Sequence, residues 1–203
     1  MATLLKQLES HGKITVSYSV QTLVARDKPQ WRKYIMPKAL VTGGNSKFGK
    51  AFVKELSKTH DVVVIPRRHL LSEQIYEYKG QYDIILFNHH YMPEDFNQRS
   101  FQHNSLICLN LLEIATGKRV AWMLSKGIGA KDMPEYAPYF AYKAMNLHIM
   151  RYLAHKRDEI YFGIDPGHLI EDHYHMPAKQ VVKLFDNVVS GKVYTLNGSV
   201  SGL

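Results

Sequence analysis

The sequence is short of the features that mark secreted and membrane proteins. It contains one cysteine, Cys108, and it has no run of about 18 apolar residues and no apolar stretch at its N-terminus. A single cysteine excludes an internal disulfide framework and favours a reducing compartment. The sequence therefore predicts a cytoplasmic protein without a signal peptide or a membrane span.

The chain also lacks a long basic run, although its formal net charge is +8. Its lysines and arginines are scattered, with only short pairs such as Arg67-Arg68 and Lys156-Arg157. Nucleic-acid-binding domains usually concentrate such residues on one face or in one segment. We interpret most of this charge as solvated surface, which argues against a nucleic-acid partner and leaves that function as a weaker alternative. A cofactor that carries phosphate is also compatible with the charge.

What is present is the composition of one globular domain. The chain has 203 residues, of which 45% are hydrophobic and 22% charged, enough for a sizeable core. We predict an N-terminal extension at residues 1–36, with a short helix at 2–10 and an alternating strand pattern at 14–20. Residues 37–203 form the predicted main domain.

Apolar runs and amphipathic segments alternate along this main domain. This order predicts an α/β fold, a Rossmann-like doubly wound parallel sheet with helices on both faces. We also predict a very short strand at residues 69–71, followed by a helix that Ser72 caps and that ends at Tyr78. The other predicted strands lie at residues 39–41, 62–65, 83–87, 119–124, 160–164 and 193–196, and the helices at 48–59, 101–115, 139–155 and 178–189.

A glycine-rich turn follows the first strand of the main domain. Gly43 and Gly49 are spaced as in turns where the backbone approaches a pyrophosphate, and the following helix offers its N-terminal N–H groups to the anion. The residues between them, Asn45, Ser46, Lys47 and Phe48, are then candidates for cofactor binding. The alternative is an ordinary turn between a strand and a helix.

Two arginines, Arg67 and Arg68, follow the second strand after Pro66. In this fold the adenosine ribose lies near that position, where an acidic residue favours NAD and an arginine matches the 2′-phosphate of NADP. No aspartate or glutamate ends this strand. The sequence therefore favours NADP (NADPH) over NAD, and ordinary surface charge is the alternative.

Tyr139 and Lys143 stand four residues apart in a helical stretch, so both side chains lie on one face. The same spacing occurs at Tyr34/Lys38 and at Tyr152/Lys156, and only position in the fold distinguishes the pairs. A lysine cation near a phenol favours the phenolate and lowers the tyrosine pKa. Tyr139 is thus a candidate general acid/base, and a packing tyrosine is the alternative.

These patterns together resemble the short-chain dehydrogenase/reductase family, over roughly residues 38–198. The glycine pattern TGxxxGxG of that family corresponds to Thr42-Gly43-Gly44-Asn45-Ser46-Lys47-Phe48-Gly49, with Lys47 in place of the middle glycine. A lysine at that position is itself a candidate phosphate contact. The resemblance covers nearly the whole main domain.

The resemblance also implies roles for residues further along the chain. Asn88 and His89 stand where the family has its NNAG motif, and Pro166-Gly167 where it has its PG motif, so these four are expected at the cofactor. The implied catalytic residues are Tyr139, Lys143, Ser125 and Asn104, with Ser125 bonding the substrate oxygen and Asn104 supporting Lys143 through a water. Lys143 would also hold the nicotinamide ribose.

The implied function is NAD(P)-dependent hydride transfer between nicotinamide and a carbonyl or alcohol group of a small molecule, with NADPH preferred. The family commonly pairs through the helix that carries the tyrosine, so a homo-oligomer, a dimer or tetramer, is expected. A non-catalytic dinucleotide-binding or sensor protein on the same scaffold remains the alternative. We expect no metal, because the histidine clusters at residues 89–90 and 171–175 are short and far apart.

Overall fold

Six parallel strands form one sheet in the computed structural model, which describes residues 36–91, 97–125, 128, 136–167 and 175–196. The prediction of a doubly wound parallel sheet is confirmed. The strands are β1 (Lys38–Thr42), β2 (Asp61–Ile65), β3 (Gly80–Phe87), β4 (Ala115–Met123), β5 (Ile160–Asp165) and β6 (Val193–Thr195). The predicted extension at residues 1–36 lies almost wholly outside the described residues, and the domain boundary stays a prediction.

Helices and short turns connect these strands. The α-helices are α1 (Lys47–Leu56), α2 (Gln98–Phe101), α3 (Ile107–Ile114), α4 (Ala137–Lys156) and α5 (His175–Leu184). Two 3₁₀ turns, Arg67–His69 and Glu73–Tyr78, lie between β2 and β3, and a π-helical segment, Gln102–Leu106, lies between α2 and α3. The helices predicted at residues 48–59, 101–115, 139–155 and 178–189 are thus present with shifted ends.

The strand order β2-β1-β3-β4-β5-β6 creates a switch point between β1 and β3. From β1 the chain builds outward to β2 on one side, and from β3 onward it builds to the other side. In open sheets of this kind, ligands bind at the carboxyl ends of the strands where the order reverses. The fold therefore places a crevice beside the ends of β1 and β3.

The core lies on both faces of the sheet, because helices cover each face. Ala39, Leu40 and Val41 of β1 are fully buried, as expected for a central parallel strand. One cluster packs α3 and α4 against the sheet, and the other packs α1 and α5. On α1, Phe48, Phe52 and Leu56 recur every four residues and point into this second cluster.

The strand predicted at residues 69–71 is wrong, because this segment forms 3₁₀ turns. The two residues before this segment, Arg67 and Arg68, are exposed, whereas Leu70 within it and Ile75 after it are buried in the cluster beneath α3. The segment thus follows no alternation of buried and exposed residues that a strand needs. Ser72 does not cap a helix with its side chain, since its hydroxyl donates to the carbonyl of His69 at 3.4 Å.

Phe52 tests the packing of α1 on α5. Its ring is fully buried and lies 6.4 Å from that of Phe185, centroid to centroid. We expect Phe52→Ala to lower the free energy of unfolding by about 3–5 kcal/mol, because it removes a buried aromatic and leaves a cavity. Urea unfolding measures the change, and Lys50→Ala on the exposed face of α1 is the control. A change below about 1 kcal/mol would contradict this packing.

Candidate cofactor cleft and active site

The turn between β1 and α1 packs directly against the end of β3. Gly43 has a φ of +65°, and a Cβ there would lie 2.7 Å from the carbonyl oxygen of Asn88 and from the amide nitrogen of His89. A Cβ on Gly49 would collide with the Gly43 carbonyl. Both glycines that the sequence singled out are therefore required by close backbone approach and, at Gly43, by a left-handed conformation.

Ser46 caps α1 within this turn. Its Oγ accepts from the amide of Gly49 at 3.0 Å and donates to the carbonyl of Gly43 at 3.0 Å. Lys47 is the first residue of α1 and is exposed, and Phe48 is buried in the core. Because Lys47 has a helical backbone, a lysine replaces glycine at this position without backbone strain. The side chain of Phe48 packs into the core, so the cofactor contact expected of this residue would use its backbone and stays a prediction.

Thr42 and Asn88 fasten the end of β1 to the end of β3. The Thr42 Oγ1 atom accepts from the amides of Asn88 at 3.2 Å and His89 at 3.3 Å, and the Asn88 Nδ2 atom donates to the Gly43 carbonyl at 3.2 Å. The turn is thus held by side-chain and backbone bonds together. Asn88, the residue that matches the NNAG motif, acts here as a structural link beside the cleft.

His89 is partly buried, and its imidazole is neutral near neutral pH. Burial, with a smaller contribution from the charge of Lys143, lowers its pKa to about 3. Its Nδ1 atom shares a hydrogen bond of 2.7 Å with Thr42 Oγ1, and its Nε2 atom lies 4.0 Å from the Cys108 sulfur. His89 therefore supports the wall of the cleft and does not exchange protons near neutral pH.

A cleft of about 270 Å³ lies at the switch point. It joins the glycine turn to the residues that follow β2 and β3. Arg67 is part of its lining, whereas the neighbouring Arg68 is exposed outside it. The predicted residues that line it are Gly43, Asn45, Ser46, Arg67, Asn88 and His89.

Tyr139 and Lys143 occupy the first turns of α4. The second residue of this helix is Pro138, and the first turn of a helix tolerates proline. Lys143 is buried, and its Nζ atom lies 5.5 Å from the centroid of the Tyr139 ring and donates to the Met123 carbonyl at 2.6 Å. Burial lowers the pKa of Lys143 to about 8. The predicted pair is thus brought together, with the ammonium group over the ring face.

Burial dominates the acidity of Tyr139 and raises its pKa to about 12. This corrects the expectation that Lys143 lowers the tyrosine pKa. The cation lies over the ring face, and desolvation of the phenolate is the cause of the shift. His90, another lining residue of the cleft, packs edge-on against Tyr139 with 6.3 Å between ring centroids. Tyr139 therefore lies next to the cleft with its phenol protonated at neutral pH.

Asn104 lies in the π-helical segment and makes contacts with three parts of the chain. Its Oδ1 atom accepts from the Tyr91 amide at 3.0 Å, and its Nδ2 atom donates to the Ser100 carbonyl at 3.0 Å. Its own carbonyl accepts from Asn146 Nδ2 at 2.7 Å. The water relay to Lys143 stays a prediction, and sequence reasoning missed Asn146, a buried asparagine one turn beyond Lys143 on α4.

Ser125 and the Pro166-Gly167 turn lie at the same edge of the sheet as the cleft. Ser125 follows Leu124, whose amide donates to the Ile164 carbonyl at 2.8 Å, so it sits at the ends of β4 and β5. Gly167 has a φ of +61°, and its amide donates to the Asp165 carboxylate at 3.0 Å. Their contact with substrate or cofactor stays a prediction.

Part of the predicted substrate region lies outside the described residues. This applies to residues 126–127, 129–135 and 168–174, and also to the side chain of His175. Within the described part of the chain, no three histidine, cysteine or acidic side chains converge as a metal site would require. No helix in that part combines the length and the apolar character needed to cross a bilayer.

No protein-family profile and no curated protein matches this sequence. Solved structures do match its fold. A short-chain dehydrogenase/reductase from Saccharomyces cerevisiae is 16% identical over 79% of this chain and 96% of its own, with a TM-score of 0.65. WbmF from Bordetella bronchiseptica, solved with NADH, is 13% identical over 82% of this chain and 72% of its own, with a TM-score of 0.64.

A tyrosine-to-phenylalanine variant of ElxO with NADPH bound is also similar. It is 16% identical over 79% of this chain and 97% of its own, with a TM-score of 0.60. Identities this low establish the fold. The resemblance drawn from the sequence motifs is therefore confirmed at the level of the short-chain dehydrogenase/reductase fold.

The burial of Lys143 leads to a prediction about how the free energy of unfolding depends on pH. The pKa of Lys143 is about 8 in the folded chain, whereas a lysine in the unfolded chain has its ordinary pKa of 10.5. Between these two pH values the unfolded chain therefore binds more protons than the folded chain. Stability of the wild type relative to Lys143→Met should therefore rise from pH 8 toward pH 10, with a slope of at most about 1.4 kcal/mol per pH unit.

Urea unfolding of both proteins across this pH range measures the difference. Lys50→Met, which removes an exposed lysine from α1, is the matched control and should lack this rise. A difference between wild type and Lys143→Met that stays constant with pH would show that the amine is not desolvated as described.

Proposed function

We propose that the chain is an NADPH-preferring oxidoreductase of the short-chain dehydrogenase/reductase type, acting on a carbonyl or alcohol group of a small molecule. The observation that carries this proposal is the cleft at the switch point. The glycine turn, Arg67 and His90 line this cleft. His90 packs against Tyr139, and the Lys143 ammonium group lies over the Tyr139 ring. The matching solved structures support it, since two of them were determined with NADH or NADPH.

The residues present fit a dinucleotide. Gly43 and Gly49 let the turn close tightly against the end of β3 and the start of α1, and α1 directs the positive end of its dipole toward this turn. Asn45, Ser46 and Lys47 stand at this end and would hold the pyrophosphate. Arg67 would hold the 2′-phosphate, for which a guanidinium offers bidentate bonds. When bound, the nicotinamide would supply or accept the hydride.

Tyr139 would provide the proton that accompanies hydride transfer. A phenol whose pKa is about 12 stays protonated at neutral pH and suits donation to a carbonyl oxygen that is gaining negative charge. This favours the direction of carbonyl reduction. Ser125 would bond the substrate oxygen, Lys143 would bind the ribose, and Asn104, Asn88, His89, Pro166 and Gly167 would shape the surrounding pocket.

A non-catalytic dinucleotide-binding or sensor protein is the second candidate. The contact that favours it is the bond from Lys143 Nζ to the Met123 carbonyl, at 2.6 Å. In that position the amine is engaged by β4, and nothing lowers the pKa of Tyr139. A protein of this kind would bind the cofactor in the same cleft without turnover.

We also propose a cytoplasmic homo-oligomer, a dimer or tetramer, that pairs through α4. An open, mainly apolar groove lies on the outer side of this helix. Phe101, Ala141, Tyr142 and Met145 line it, and Phe101 remains 37% exposed. A second copy of the chain would cover this surface.

The two arginines after β2 test the cofactor preference. We expect Arg67→Leu to weaken NADPH binding by about 10- to 100-fold, because it removes a charge-assisted bond to phosphate. NADH binding should stay the same, and the matched variant Arg68→Leu should have a smaller effect on NADPH. Fluorescence titration gives both affinities. Equal affinity of the wild type for NADPH and NADH would contradict the preference.

Tyr139→Phe separates the enzyme from the binding protein. With a carbonyl substrate found by screening, we expect turnover to fall by about 10²- to 10⁴-fold or more, because the variant has no proton to donate. The NADPH affinity should be retained. Tyr152→Phe is the control, since Tyr152 has the same spacing to a lysine on α4 but is 63% exposed. Binding without turnover of any carbonyl by the wild type would favour the second candidate.

A further inference from the structure

Tyr91, the residue after His89 and His90, contacts two basic side chains. The guanidinium carbon of Arg67 is over its ring, 5.3 Å from the centroid, and the ring of His103 is 5.4 Å away at an interplanar angle of 36°. Arg67, Tyr91 and His103 all line the cleft at the switch point. The sequence motifs assign no role to Tyr91.

The contact with Tyr91 restricts where Arg67 can point. Arg67 is exposed on a 3₁₀ turn, and an arginine side chain there loses conformational freedom when it binds a ligand. An aromatic face attracts a guanidinium and keeps it in one place. A guanidinium that rests on a ring through its flat face keeps the N–H groups of its edge for bidentate bonds to a phosphate.

Tyr91 is itself held in place by a backbone hydrogen bond and by a second ring. Its backbone amide donates to Asn104 Oδ1 at 3.0 Å. His103 is buried, and burial, followed by the charges of Arg67 and Arg99, lowers its pKa. The imidazole is therefore neutral near neutral pH, so it supports the ring without setting a second cation against Arg67.

We propose that Tyr91 is a positioning residue for cofactor choice: its backbone is bonded to Asn104, its ring packs on His103, and this ring holds the Arg67 guanidinium where the 2′-phosphate of NADP would bind. This inference rests on the proposed function and deepens it. It attributes the preference for NADPH to a pair of residues, of which only Arg67 touches the phosphate.

The experiment compares NADPH and NADH affinities, by fluorescence titration of the full chain, in wild type, Tyr91→Phe and Tyr91→Leu. We expect Tyr91→Leu to weaken NADPH binding by about two- to fivefold while NADH binding is unchanged. Tyr91→Phe keeps the aromatic face and should retain the wild-type preference. Tyr91→Met provides a second non-aromatic side chain of similar bulk if the leucine variant folds poorly.

The same substitution in an Arg67→Leu background completes the test. There, Tyr91→Leu should have no further effect on the ratio of the two affinities, because the group it positions is absent. Equal weakening of NADPH and NADH by Tyr91→Leu, or an unchanged preference, would overturn the inference and leave the proposed function intact. A wild type that does not prefer NADPH would instead overturn the proposed preference, and this inference with it.

Discussion

The attachment of β1 to β3 through Thr42 and Gly43 is the contact on which the cleft depends. Thr42 Oγ1 receives two backbone amides from the end of β3, and Gly43 lies so close to the same segment that a side chain cannot fit between them. This contact fixes the opening of the turn that precedes α1. The same segment continues to His90, which packs against Tyr139, and to Tyr91, which packs against Arg67.

Sequence reasoning recovered those parts of the fold that local patterns determine. Apolar runs such as residues 84–87 mark strands buried on both faces, and glycines mark backbone approaches that no other residue permits. The strand predicted at residues 69–71, from two leucines that follow basic residues, is wrong. In the structure Leu70 and Ile75 cover the core beneath α3, and a three-residue pattern cannot reveal this tertiary packing.

The electrostatic character of the site is the part that the sequence could not supply. The spacing of Tyr139 and Lys143 correctly places them on one helix face, but it does not tell how deeply they are buried. Desolvation opposes both charged forms, and it raises one pKa while lowering the other. Asn146 and Tyr91 were missed for a related reason, because their partners are distant in sequence and no motif marks them.

The π-helical segment at Gln102–Leu106 has a consequence for how this chain tolerates changes in length. α3 ends at Ile114 and β4 begins at Ala115, so no loop residue separates them and β4 fixes the helix in register. Loss of one residue from the π turn would restore an ordinary helix and rotate everything before it by about 100°. Asn104 would then turn away from both Tyr91 and Asn146. The extra residue of the π-helical segment thus keeps Asn104 aligned with both Tyr91 and Asn146.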